Sequence, residues 1–138
     1  MYEEIFTSKA ATLKILKNKL RKSKIEKLYN FTVNEWITDP NRILGIISKT
    51  FTSHQIIIRS SALDEDTWES SHAGYYESIL NVNTKSKKLI SQAINSVIKS
   101  YKKNGNENIQ NQILIQEQAK NISYSGVIFT RTPNHGKP

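Results

Sequence analysis

Residues Ile56 to Val82 read IIIRSSALDEDTWESSHAGYYESILNV, and the interpretation of the whole chain turns on them. Three successive isoleucines make a strand apolar on both faces, which belongs inside a sheet covered from both sides. That strand delivers Arg59 into Ser60 and Ser61, then into Asp64, Glu65 and Asp66. YYESILNV is a second strand candidate, with Tyr76, Ser78, Leu80 and Val82 on one side and Glu77, Ile79 and Asn81 on the other. Between the two lies SSHAGYYES, in which Gly74 allows a close backbone approach and Ser70, Ser71 and Ser78 supply hydroxyls.

Outward from this core, the N-terminal side reads as helical. Thr7 or Ser8 can cap a helix carrying Ala10, Leu13, Leu16 and Leu20 on one face and ending around Lys22. KIEKLYNFTVNEW suggests an extended segment packed on the core. Asp39 is a good N-cap and Pro40 suits a first helical position, so a helix is expected from about Pro40 to Thr50, with Ile43, Leu44, Ile46, Ile47 and Phe51 as its apolar set. On the C-terminal side, Thr84 is the expected cap of a helix in which Leu89, Ile90, Ala93, Ile94, Val97, Ile98 and Tyr101 recur at helical spacing until Asn104 and Gly105. QILIQEQ and SGVIFT are further strands joined by AKNISY as a hairpin-type connection, and RTPNHGKP is made of turn residues. Helices and strands in this order imply an α+β domain with a mixed or antiparallel sheet.

Composition narrows the partners. The 138 residues amount to a single domain or part of one. Lys and Arg outnumber Asp and Glu by 20 to 12, a formal charge of +8, which points to an anionic partner without naming it. Ile and Asn are abundant as well, so part of the lysine excess is read as solvated surface. The absence of cysteine excludes disulfides and thiolate metal sites and fits a cytoplasmic setting. No apolar run approaches the roughly 20 residues of a membrane span.

Arg59 is the first candidate for chemistry, because a guanidinium on a buried strand can meet a phosphate through two parallel hydrogen bonds. The alternative is a structural ion pair with Asp64, Glu65 or Asp66. Those three acids could ligate Mg²⁺, yet consecutive side chains point in different directions and do not converge on one ion. His54, His72 and His135 have no metal-ligand spacing. Gln116, Glu117 and Gln118 close a strand where amides and backbone groups can meet the edge of an adenine. The lysines from Lys14 to Lys27 lack the aromatic interleaving of single-strand binders.

Taken together, IIIRSSALDEDTWESSHAGYYESILNV resembles the nucleotide-binding signature of the pyruvate phosphate dikinase and phosphoenolpyruvate synthase family. ILIQEQAKNISYSGVIFTRTP is similar to that family's following block, and SKAATL to its opening element. The segment from Lys24 to Phe51 resembles a branch of capsule-associated kinases, glutamine kinases among them. The resemblance implies an ATP-grasp fold, with residues 1–138 as the N-terminal part of a truncated nucleotide-binding module. It makes Lys9 and Arg59 phosphate ligands, Arg59 being also the catalytic candidate, and places Gly74 and Ser78 in the loop that closes on the phosphates. Gln116 and the backbone near Gln118 hold adenine. ATP is the implied cofactor, with Mg²⁺ ligands and the phosphohistidine and acceptor domains expected outside this chain, and no metal ligand within it. The implied reaction passes phosphate from ATP to a histidine on a separate domain, then to an acceptor such as pyruvate or glutamine. Two other readings stand beside it: a basic nucleic-acid-binding module, and a folded piece with no activity of its own.

Overall fold

The computed structural model describes residues 8–52, 55–63 and 76–126. Its elements in chain order are α1 (Lys9–Lys19), β1 (Leu28–Thr32), α2 (Val33–Thr38), α3 (Pro40–Thr50), β2 (Gln55–Ser61), β3 (Ser78–Asn83), α4 (Lys87–Lys103) and β4 (Gln112–Glu117). The strands form one antiparallel sheet in the order β1-β4-β2-β3, which makes the fold α+β as expected. The interior position of β2, between β4 and β3, follows from its apolar run.

One face of the sheet is closed by helices. Ile56, Ile58, Ile113 and Ile115 point into a core shared with Ile43 and Ile47 of α3 and Ile90, Ile94 and Val97 of α4. Seven of these isoleucines, Ile43, Ile47, Ile56, Ile58, Ile94, Ile113 and Ile115, are fully shielded from solvent, and each contributes about 1.5–3 kcal/mol by leaving water. The bounds of α3 match the expectation, because Asp39 accepts from the Arg42 N–H and Pro40 occupies the first turn.

Elsewhere local signals were overridden or missed. The segment expected to be extended divides into β1 and a short helix, α2, because Thr32 and Glu35 form a capping box: the Thr32 hydroxyl accepts from Glu35 N and the Glu35 carboxylate accepts from Thr32 N. α1 stops at Lys19 rather than Lys22, and Leu20 lies beyond it, 40% exposed. Only Ala10 of that helix is buried, since its first turn is what meets the sheet. The cap of α4 is Ser86, not Thr84, because Asn83 turns the chain first, its side chain accepting from Lys85 N and its carbonyl from Ser86 N. Leu89, in the expected apolar set of α4, is exposed.

The faces of β3 also depart from simple alternation. Ile56 pairs with Val82 and Ile58 with Ile79, so two steps on β2 match three on β3. Asn81 sits in this bulge with φ of 57°, and both Ile79 and Val82 reach the core instead of opposite faces. A bulge changes the side-chain period locally, which strict alternation cannot register. SGVIFT from Val127 onward, the RTPNHGKP tail and the SSHAGYYES loop as far as Tyr75 lie outside the described residues.

Candidate functional site

The second face of the sheet is where the sequence-predicted polar residues come together. Ladder register puts Arg59 opposite Ser78 of β3 on one side and Leu114 of β4 on the other. Gln116, diagonal to Arg59 on the same face, receives a hydrogen bond from the guanidinium, Nη1 to Oε1 at 3.2 Å. Because the guanidinium only donates, the carbonyl oxygen of Gln116 must be the group turned towards it, which leaves Nε2 as a donor for another acceptor. Arg59 and Gln116 are half-buried and Ser78 is exposed. No carboxylate among the described residues pairs with Arg59; Asp64, Glu65 and Asp66 lie outside them, as do Gly74, His54, His72 and His135.

Lys9 is brought to the same face by α1. Ser8 caps that helix, and its hydroxyl also donates to Gln112 Oε1 at 3.1 Å, while Ala10 N donates to Ser61 Oγ at 2.9 Å. Ser61 lies two residues beyond Arg59 on β2, roughly 7 Å along the strand and on the same face. The start of α1, whose first residue is Lys9, therefore lies with its positive end at the Ser61 end of β2.

Two anchors hold the chain at Leu63 and at Tyr76 and Glu77, the described residues on either side of positions 64–75. Leu63 N donates to Asn111 Oδ1 at 3.2 Å, and the buried Asn111 is itself held by Asn106 and by Val33 N. On the return, Tyr76 packs edge-on against Tyr101 with ring centroids 4.9 Å apart, and Glu77 N donates to Ser100 Oγ. Tyr101 reaches from α4 between the ends of β2 and β4, accepting from Ser61 N at 2.8 Å and donating to Gln112 O. Sequence reasoning found none of Ser8, Asn111, Gln112 or Tyr101 as parts of this assembly. Their partners stand up to 104 residues away, beyond any local pattern.

Gln118, whose backbone region was expected to hold adenine, is engaged through its side chain. It follows β4, and its amide is committed to Asn81, accepting from Asn81 N at 2.9 Å and donating to Asn81 Oδ1 at 2.8 Å. Gln118 N donates to Gln55 O.

A cavity of about 540 Å³ lies on the other side of the sheet, lined by Trp36, Ile37, Ile98, Tyr101 and Ile109 among others. It contains none of the predicted site residues and is walled mainly by apolar groups, whereas a phosphate needs cations and hydrogen-bond donors. The open second face supplies those.

No group of three or more His, Cys, Asp or Glu among the described residues could hold a metal ion. No helix among them is long and apolar enough to cross a membrane.

Comparison with known proteins gives one finding. The family model described as "Pyruvate phosphate dikinase, AMP/ATP-binding domain" matches residues 1–138. No curated protein and no solved structure matches the chain.

Proposed function

The chain belongs to the pyruvate phosphate dikinase AMP/ATP-binding family, an ATP-grasp-type domain of dikinase phosphotransferases, and from that premise we propose that the second face of its sheet is where the nucleotide sits. The observation that carries the proposal is the grouping of Arg59, Ser78 and Gln116 on adjacent strands, tied by the Arg59 to Gln116 hydrogen bond.

In this reading Arg59 grips phosphate oxygens, with Lys9 adding charge from the start of α1, and Ser78 and Gly74 belong to the segment that covers the phosphates. Gln116 is held by Arg59, so its Nε2 donates to an acceptor on the base or the ribose. Binding adenine and gripping phosphate are thereby coupled through one hydrogen bond. Arg59 is the catalytic candidate because the charge it brings is needed most as the phosphoryl group leaves ATP. The phosphoryl group passes to a histidine nitrogen on a separate domain and from there to an acceptor such as pyruvate or glutamine. Residues 1–138 act as the nucleotide-holding part of that larger assembly. Mg²⁺ would be held by ligands outside this chain, and no step is routed through that ion.

Titration of the chain with a fluorescent ATP analogue tests the proposal. Arg59→Ala removes charge-assisted hydrogen bonds worth about 1.5–3 kcal/mol each and should weaken binding at least tenfold. ATP binding that ignores Arg59, beside steeply salt-dependent binding of labelled single-stranded DNA, would instead identify a basic nucleic-acid-binding module.

A further inference from the structure

The Asn81 to Gln118 contact is a polar link across the sheet, at the far end of β2 from Ser61, that nucleotide binding as described above does not use. Asn81 belongs to β3 and Gln118 follows β4, with β2 running between them, so the Gln118 side chain arches across a whole strand. Each polar end of its amide makes one hydrogen bond there, which fixes the orientation of the side chain. The Gln118 backbone lies immediately after β4, at the point where the chain leaves the sheet.

The backbone of Asn81 is specialised for this. Its φ of 57° lies in the left-handed region that asparagine and glycine tolerate best, and the bulge it creates turns its N–H and side chain towards Gln118. We propose that Asn81 is a positioning residue for the nucleotide base: by clamping the Gln118 amide across β2 it fixes the backbone at the end of β4 that meets the base. The inference rests on the nucleotide reading of this face. A clamp of this kind raises affinity by removing the ordering cost of the segment before the ligand arrives.

The test compares ATP with inorganic tripolyphosphate by calorimetric titration, since the second ligand has phosphates and no base. Asn81→Gly keeps the left-handed backbone and deletes the side-chain acceptor; Gln118→Ala deletes the amide from the other end. Asn81→Gly, which keeps the backbone N–H bond, should weaken ATP about fivefold, the worth of one net hydrogen bond; Gln118→Ala, which loses both bonds, should weaken it further, and both should leave tripolyphosphate within about twofold. The double variant should be no weaker than Gln118→Ala alone, because both changes break one link. ATP and tripolyphosphate falling together would make the clamp merely structural and overturn the proposal, as would ATP affinity indifferent to both variants. If ATP binding responds to Arg59→Ala but not to Asn81→Gly, the positioning role alone fails. If it responds to neither, the nucleotide reading fails and takes the positioning role with it.

Discussion

Replacing Tyr101 by phenylalanine removes a single oxygen, and the structure says how much that oxygen carries. Tyr101 is 2% exposed, and its hydroxyl accepts from the N–H of Ser61, itself fully buried, while donating to the carbonyl of Gln112. The phenyl ring keeps the edge-on contact with Tyr76 and the packing against the core, so no large cavity opens. The loss is therefore that of two buried hydrogen bonds, with the Ser61 N–H left without its hydroxyl partner. An orphaned buried donor costs about 1–3 kcal/mol. With about 2 kcal/mol lost, a chain of 138 residues should melt roughly 6–10 °C lower. Urea unfolding followed by circular dichroism gives the free energy directly, with an unchanged slope confirming that the same surface is exposed. Stability within 0.5 kcal/mol of the parent protein, a threshold set at about the noise of surface substitutions, would refute the inference that this hydroxyl joins α4 to the ends of β2 and β4.

Two glycines should respond to alanine with opposite signs. Gly105 has φ of +73° after α4, and nothing lies within 4 Å of an added Cβ, so Gly105→Ala should cost about 1 kcal/mol from backbone conformation alone. Gly45 lies inside α3 with equally open space around it, and Gly45→Ala should stabilise by about 0.5–1 kcal/mol in the same urea assay. The capping box of α2 should show itself in pH dependence. Hydrogen bonding from the Thr32 backbone lowers the pKa of Glu35 below its ordinary 4.5, so its charged form adds stability that is present above that value and lost as pH falls through the folded pKa. The stability difference between the parent protein and Glu35→Gln should thus be flat near neutrality and close in acid. A difference constant across that range would show that the charge contributes nothing.

Much of this architecture is written in short-range pattern. Asp39 and Pro40 specify the start of α3, the spacing from Ile90 to Tyr101 specifies the buried side of α4, and the isoleucines before Arg59 specify an interior strand. Each is a matter of residues within about four positions of one another, where caps and periodicity act. The Thr32 to Glu35 box belongs to the same class and was legible, though the neighbouring aromatic residues favour an extended reading. The grouping of Arg59 with serine hydroxyls and a glutamine-rich strand end was likewise visible as composition.

What tertiary structure alone decided is which of those residues meet. Arg59 finds Gln116 across 57 positions through strand register, Ala10 finds Ser61 across 51 through the docking of α1, and Asn81 finds Gln118 across 37 through a bulge. Register is a property of two strands and the helices packed on them, so neither strand carries it alone. Local pattern alone accounts for α3, the buried side of α4 and the interior strand β2, and for the charge. The pairing of β2 with β4 determined that a cation and an amide stand together on the second face, and the bulge at Asn81 determined that the Gln118 side chain is held across β2.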